Sequence, residues 1–293
     1  MSFKSPLDTV LELESNGRDK TKQTVDQCIL LGVLAGWFAG LGGFGCLATG
    51  GNIPDISPGT RQIISGLTFP IGLVMILFTG SDLFTGMQSA ATAGLLSRKV
   101  QALPFLKLMF LSFISNAVGA IMFAYIFVYY VSSGDDYWVN IAKDIAVKKM
   151  QGDFYKKIIS GIMANFLVNV AVFCAASAND IVGKCAGVWG PIYIFVVCEF
   201  EHCIANCFYI PLGLFYGAEG SWGKFILHNL IPVTIGNVIG GCLCVGTLLY
   251  YIHHLRGDHP DAAQNALLWA KGKIFKPQYL GINEEGDHLI INK

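Results

Sequence analysis

Two short segments of the 293-residue chain carry polar residues inside apolar surroundings. The first is Gly80-Ser81-Asp82-Leu83-Phe84-Thr85-Gly86, in a stretch from Arg61 to Arg98 whose one internal charge is Asp82. The second holds Glu199, Glu201, His202 and Asn206, in the middle of the stretch from Lys184 to Glu219. Carboxylates are costly at membrane depth unless protein surrounds them. A straight helix from Arg61 to Arg98 would be about 54 Å long, against a hydrocarbon layer of about 30 Å. Both stretches therefore read as interrupted helices, because irregular backbone at that depth survives only inside protein or beside a cavity. Broken helix ends present unpaired N–H groups and partial positive charge, which attract anions. Asp82 and Glu201 are expected to accept the freed N–H groups and hold the two loops. Thr85 and His202 are the uncharged hydrogen-bonding groups left to face a pore. A lone histidine on an apolar face is usually a satisfied core residue; its place in the second interruption, matched to the first, argues for the pore.

Cys198, Glu199, Glu201, His202, Cys203 and Cys207 are zinc or iron ligand types. Adjacent residues on a helix point to different faces, however, and no second paired motif accompanies them. No metal or other cofactor is expected.

These segments need a membrane scaffold, and the composition supplies one. Hydrophobic residues make up 53% of the chain and charged residues 14%, with a mean hydropathy of +0.53. A soluble domain carries about 25% charged residues. Lys plus Arg and Asp plus Glu both number 20, so the net charge is zero. That balance argues against a nucleic-acid binder, which needs a basic face. Four uninterrupted apolar runs lie between Asp26 and Asp55, Lys107 and Asp135, Lys157 and Asp180, and Lys224 and Arg256. With the two interrupted stretches they make six crossings, so both termini fall on one side. Lysine and arginine placement favours termini inside, although the loop from Asp135 to Lys157 interleaves its lysines with acids. Nine cysteines in mostly apolar runs read as small buried hydrophobes. Asp8, Glu12, Glu14 and Asp19 precede the first run, which argues against a signal peptide.

Three regions result. Residues 1–25 form a cytoplasmic segment with a short amphipathic helix, opened by Ser5-Pro6 and running to Glu14, that lies on the membrane surface. Residues 26–256 form the six-span transport domain. Residues 257–293 form a polar, cytoplasmic, partly disordered tail.

The two halves of the chain resemble each other. Gly32-x-x-Ala35-Gly36 in the first span matches Gly161-x-x-Ala164-Asn165 in the fourth. Asn116-x-x-Gly119-Ala120 in the third matches Asn237-x-x-Gly240-Gly241 in the sixth. Small residues at such spacing are common packing devices, but the ordered set, with an interruption in the second and fifth spans, is an internal repeat. Three spans per half force opposite orientations, and inverted repeats with matched broken helices place a transport site at the midplane. The fold class is thus an all-α polytopic membrane protein of two inverted three-helix repeats.

The segments Gly80–Gly86, Phe200-Glu201-His202-Cys203-Ile204-Ala205-Asn206 and Asn229-Leu230-Ile231-Pro232-Val233-Thr234-Ile235-Gly236-Asn237 resemble the signatures of the formate–nitrite transporter family over residues 25–256. The resemblance implies an aquaporin-like protomer, five protomers per ring, a pore in each, and small monovalent weak-acid anions as substrates: formate, nitrite, acetate, lactate, hydrosulfide. By the same resemblance His202 is the central pore histidine, Thr85 its partner, Lys149 the vestibule lysine and Asn165 the family's asparagine. The constrictions map onto Phe69, Leu73, Leu83, Phe84 and Phe195. One position departs: Glu199 stands where the family has a small residue, which makes it a candidate for altered selectivity.

Magnitudes favour neutralising the substrate. A bare anion entering a dry constriction loses on the order of 20 kcal/mol in the idealised limit and several after relaxation. Protonating a carboxylate of pKa about 4 at neutral pH costs only about 4 kcal/mol. The expectation is proton-coupled passage: Lys149 draws the anion in, and a proton arrives from bulk or through His202. The partners are then the weak acid, the proton, membrane lipid and four further copies of the chain, in the plasma membrane. Passage of charged anions and a neutral-solute pore are the alternatives.

Overall fold

The computed structural model describes residues 3–256, which are helical throughout apart from turns and one isolated bridge between Phe3 and Ala178. The expected tail 257–293 lies outside the described residues. Helix α1 (Pro6–Thr21) starts where the sequence indicates: Ser5 Oγ accepts from Asp8 N–H at 3.1 Å, and Pro6 occupies the first turn. It runs past Glu14 to Thr21, and its apolar face is covered by protein. Val10 and Leu13 are buried against the first half-helix, near Ala93 and Ala90. The reason is backbone approach, since a Cβ at Gly17 would overlap the carbonyl of Ala90.

Helix α2 (Val25–Ala48) opens with a reciprocal cap between Thr24 and Gln27. Helix α3 (Pro58–Thr79) bends where Pro70 follows Phe69 and stops at Gly80, whose φ is +70°. After the break, the half-helix α4 (Gln88–Leu96) completes the second crossing. Helix α5 (Ala102–Tyr129) begins five residues before Lys107, whose ammonium reaches back to Gln23 O at 3.0 Å.

The second half repeats this order as α6 (Tyr137–Met150), α7 (Phe154–Ser177), α8 (Ile181–Val197), the half-helix α9 (Cys203–Phe215) and α10 (Trp222–Leu255). Helix α7 also starts ahead of its bracketing lysine, and it buries Lys157. The six crossings therefore stand as read from the sequence, each repeat with one helix interrupted. The repeat is larger than the spans, however: α1 packs on α4 as α6 packs on α9. The two ends of the described residues meet on one face. Lys99 and His254 approach the buried Glu14 carboxylate at 2.6 and 2.5 Å, which ties α1 to the ends of α4 and α10.

The helices of each half touch at glycine. A Cβ at Gly119 would overlap the carbonyl of Val33, and one at Gly240 the carbonyl of Ile162. The outer faces remain apolar, as on α5, where Leu103, Leu106, Phe110 and Ile114 are exposed. Gly119→Val and Gly240→Val should each destabilise the protomer by about 1–3 kcal/mol through overpacking. The check is a thermal melt of the detergent-solubilised protein, in which an unchanged midpoint for both would contradict the close approach.

Candidate functional site

Each break leaves both donors and acceptors without a helical partner, and one buried asparagine serves each. Asn116 Oδ1 accepts from Phe84 N–H at 2.7 Å, and its Nδ2 donates to Gly32 O at 2.9 Å and Asp82 O at 2.8 Å. Asn237 Oδ1 accepts from Cys203 N–H at 2.9 Å, and its Nδ2 donates to Gly161 O at 2.8 Å and Glu201 O at 3.0 Å. The expectation that Asp82 and Glu201 accept the freed N–H groups is therefore corrected. A carboxylate only accepts, whereas an amide donates and accepts, and these breaks need both.

The two acids are held by lysines. Asp82 forms a close ion pair with Lys20 of α1. Glu201 pairs with Lys149 of α6 at 3.1 Å, and its Oε2 also accepts from Asn206 Nδ2 at 2.6 Å. Lys157 donates to the carbonyl of Lys149 at 2.9 Å, which steadies the end of α6. Lys20 lies twelve residues before Gly32, as Lys149 lies twelve before Gly161. That spacing was a usable signal for Lys20, which sequence reasoning missed; Asn116 and Asn237 were noticed, but as packing marks.

Aligning the breaks on their asparagines pairs Asp82 with Glu201, Leu83 with His202 and Gly80 with Glu199. Glu199 takes φ +52° where its counterpart Gly80 takes +70°. A left-handed conformation costs a residue with a Cβ roughly 1–2 kcal/mol.

His202 caps α9, its Nδ1 accepting from Ala205 N–H at 3.1 Å. An accepting Nδ1 leaves the ring proton on Nε2, which lies 2.8 Å from Thr85 Oγ1. Thr85 is held in turn, its carbonyl accepting from Asn169 Nδ2 at 3.0 Å. The His202–Thr85 bond thus joins the two breaks across the repeat axis.

A vestibule of about 300 Å³ opens on one side, lined by Lys149, Glu199, Glu201, His202, Phe69 and Phe195 among others. Beyond it lies a cavity of about 20 Å³, lined by Leu73, Leu83, Phe69, Phe195 and His202. That volume is little more than one water occupies. Phe69 and Phe195 meet edge to face at 5.7 Å where the two spaces join, and the Phe195 ring lies 5.8 Å from that of His202. Four of the five expected constriction residues thus surround the waist. Phe84 lines neither space and packs on Phe113 at 5.1 Å. Asn165 lines neither as well. It is buried behind the site, donating to Gln88 Oε1 at 2.8 Å and Asn237 O at 2.7 Å. Among the described residues no group of three or more His, Cys, Asp or Glu side chains could hold a metal ion, and all nine cysteines are free thiols.

The family model described as formate/nitrite transporter matches residues 7–251. The chain is 34% identical over 271 residues to a probable formate transporter of Methanothermobacter thermautotrophicus, covering 86% of this chain and 98% of that one. Among solved structures it is similar to an ion channel of the same family, with a TM-score of 0.77 and 23% identity, covering 84% of this chain and 98% of the other. It is also similar to a pentameric formate channel with formate bound, with a TM-score of 0.68 and 26% identity over 78% and 97%.

Asn116→Leu and Asn237→Leu should each lower stability by about 1–3 kcal/mol, because each strands the polar groups of one break. Thermal melting in detergent reads this out, and wild-type midpoints for both variants would show that the breaks are held some other way.

Proposed function

The chain belongs to the formate/nitrite transporter family, and from that premise we propose that it carries small monovalent weak acids across a membrane with a proton, as neutral species at the waist. The substrate class is formate, nitrite, acetate, lactate or hydrosulfide. The observation that supports this reading is the sequence of environments along the path: a vestibule with charged walls, then a waist of Phe69, Phe195, Leu73 and Leu83 with His202 as its polar contact. An anion loses its hydration there and gains no counter-charge, whereas the protonated acid loses far less.

In this mechanism Lys149 and the helix ends concentrate the anion in the vestibule. The apolar wall raises the substrate's pKa, and a proton joins it. With Nδ1 committed to Ala205 N–H, His202 can give up its Nε2 proton only by taking another on the side that faces a donor. Bulk water in the vestibule is therefore the proposed proton source, with the single Nε2–H of His202 turning from Thr85 Oγ1 to the acid as it passes. The phenylalanines part to admit it, since the waist has room for little more than one water.

Five copies per assembly, a plasma-membrane location and cytoplasmic termini complete the proposal. The pentameric formate channel supports the first, and the lysine and arginine distribution supports the last.

Uptake of labelled formate or lactate into proteoliposomes should rise as external pH falls. Below saturation the rise should approach about tenfold per pH unit, following the neutral fraction. His202→Phe should abolish uptake while the oligomer remains intact on size exclusion. Unchanged flux in that variant would sink the mechanism. A net anion current across planar bilayers without a pH gradient would replace it by passage of charged anions. Osmotic swelling indifferent to pH and anions would replace it by a neutral-solute pore.

A further inference from the structure

Among the described residues the charged side chains lining the vestibule are Arg61, Lys148, Lys149, Asp144, Glu199 and Glu201, three of each sign, so the wall carries no net charge. Lys149 is matched by Glu201 at 3.1 Å. Lys148, beside it on α6, is matched by Glu199 at 2.6 Å, and both of these side chains are well exposed.

Two observations single out Glu199. It holds a left-handed backbone position that glycine holds at the other break. A residue with a Cβ is strained there, so the side chain is not present for the backbone's convenience. Its ion pair with Lys148 is solvent-exposed, and such pairs contribute little stability. What its carboxylate does contribute is one negative charge at the vestibule wall, opposite the lysine that would otherwise add to the pull of Lys149 on an anion.

We propose that Glu199 sets the vestibule's affinity for anions, cancelling Lys148 so that the chamber takes up monovalent anions weakly and more highly charged anions hardly at all. This rests on the reading of the chamber as the entrance for weak-acid anions. A wall with an excess positive charge would hold small anions longer and would admit dicarboxylates as competitors; a neutral wall releases them toward the waist. Lys157, buried behind Lys149, lies outside the lining and its ammonium is held by backbone carbonyls, so Glu199 is not its counter-charge.

The test is saturation of labelled formate uptake in proteoliposomes for wild type, Glu199→Gln, Glu199→Gly, Lys148→Gln and the double variant Glu199→Gln/Lys148→Gln, at low and high ionic strength. At low salt both Glu199 variants should lower the half-saturation concentration by about three- to tenfold, and the shift should shrink at high salt. Both should also gain sensitivity to inhibition by a dicarboxylate such as oxalate. Lys148→Gln should raise half-saturation by a similar factor, and the double variant should return close to wild type, because the wall is neutral again. If neither Glu199 variant shifts half-saturation, the proposal is overturned. If Glu199→Gly shifts it and Glu199→Gln does not, relief of the backbone is the cause and the charge argument fails. Wild-type protein that carries no formate at any pH would instead overturn the transport reading itself, and this inference with it.

Discussion

A helix cannot stop inside an apolar layer unless its stranded N–H and C=O groups find partners, and this protein stops two. Asn116 and Asn237 meet that requirement in the same way, each accepting from an N–H freed at a break and donating to two carbonyls, one of them on the neighbouring span. Most of the structure follows from keeping these two amides in place. Gly119 and Gly240, three residues along from each, let α5 and α10 come close enough to α2 and α7 for the asparagines to reach Gly32 and Gly161. The flanking helices α1 and α6 then bring Lys20 and Lys149 to the acids beside the breaks, so that each of these two carboxylates has a cation.

The scaffold is nearly symmetric, and the site consists of the positions where symmetry fails. His202 stands opposite Leu83, Glu199 opposite Gly80, Asn206 opposite Met87 and Asn165 opposite Gly36. The first half supplies smaller or apolar residues at these places and the second supplies hydrogen-bonding or charged ones. One break can therefore act as an apolar wall while the other carries the polar contact. The Thr85–His202 bond crosses between them, buried and 2.8 Å long, and it fixes the ring beside the Phe195 face instead of leaving it free in the vestibule.

The vestibule and the waist treat charge oppositely, and the boundary between them is only the Phe69–Phe195 pair. On one side, among the described residues, six side chains of charged type line a chamber of about 300 Å³. On the other, among the described residues, His202 is the sole titratable side chain facing a space with room for little more than one water. A solute that keeps its charge meets ionic partners of both signs on the first side and none on the second. That contrast gives a physical meaning to the low charge content of the chain, since the apolar residues that make it a membrane protein also make its centre costly for a charged solute.

Hydropathy alone determined the six crossings, because apolar length between charges is a local quantity. Two runs too long or too polar to be straight helices gave away the breaks, and ordered small-residue patterns gave away the repeat. His202 and Thr85 stood out because polar groups in such places have few other uses. The bonding scheme was not local. Nothing in the sequence says that Asp82 reaches a lysine sixty-two positions earlier, that amides instead of carboxylates satisfy the breaks, or that Asn165 and Phe84 sit behind the path instead of along it. The docking of α1 on α4 was equally hidden, since an amphipathic helix suits lipid or protein and only Gly17 against Ala90 decides which. Periodicity along the chain records which residues must leave water. Which of them meet across the repeat axis is decided only when two inverted halves close on each other.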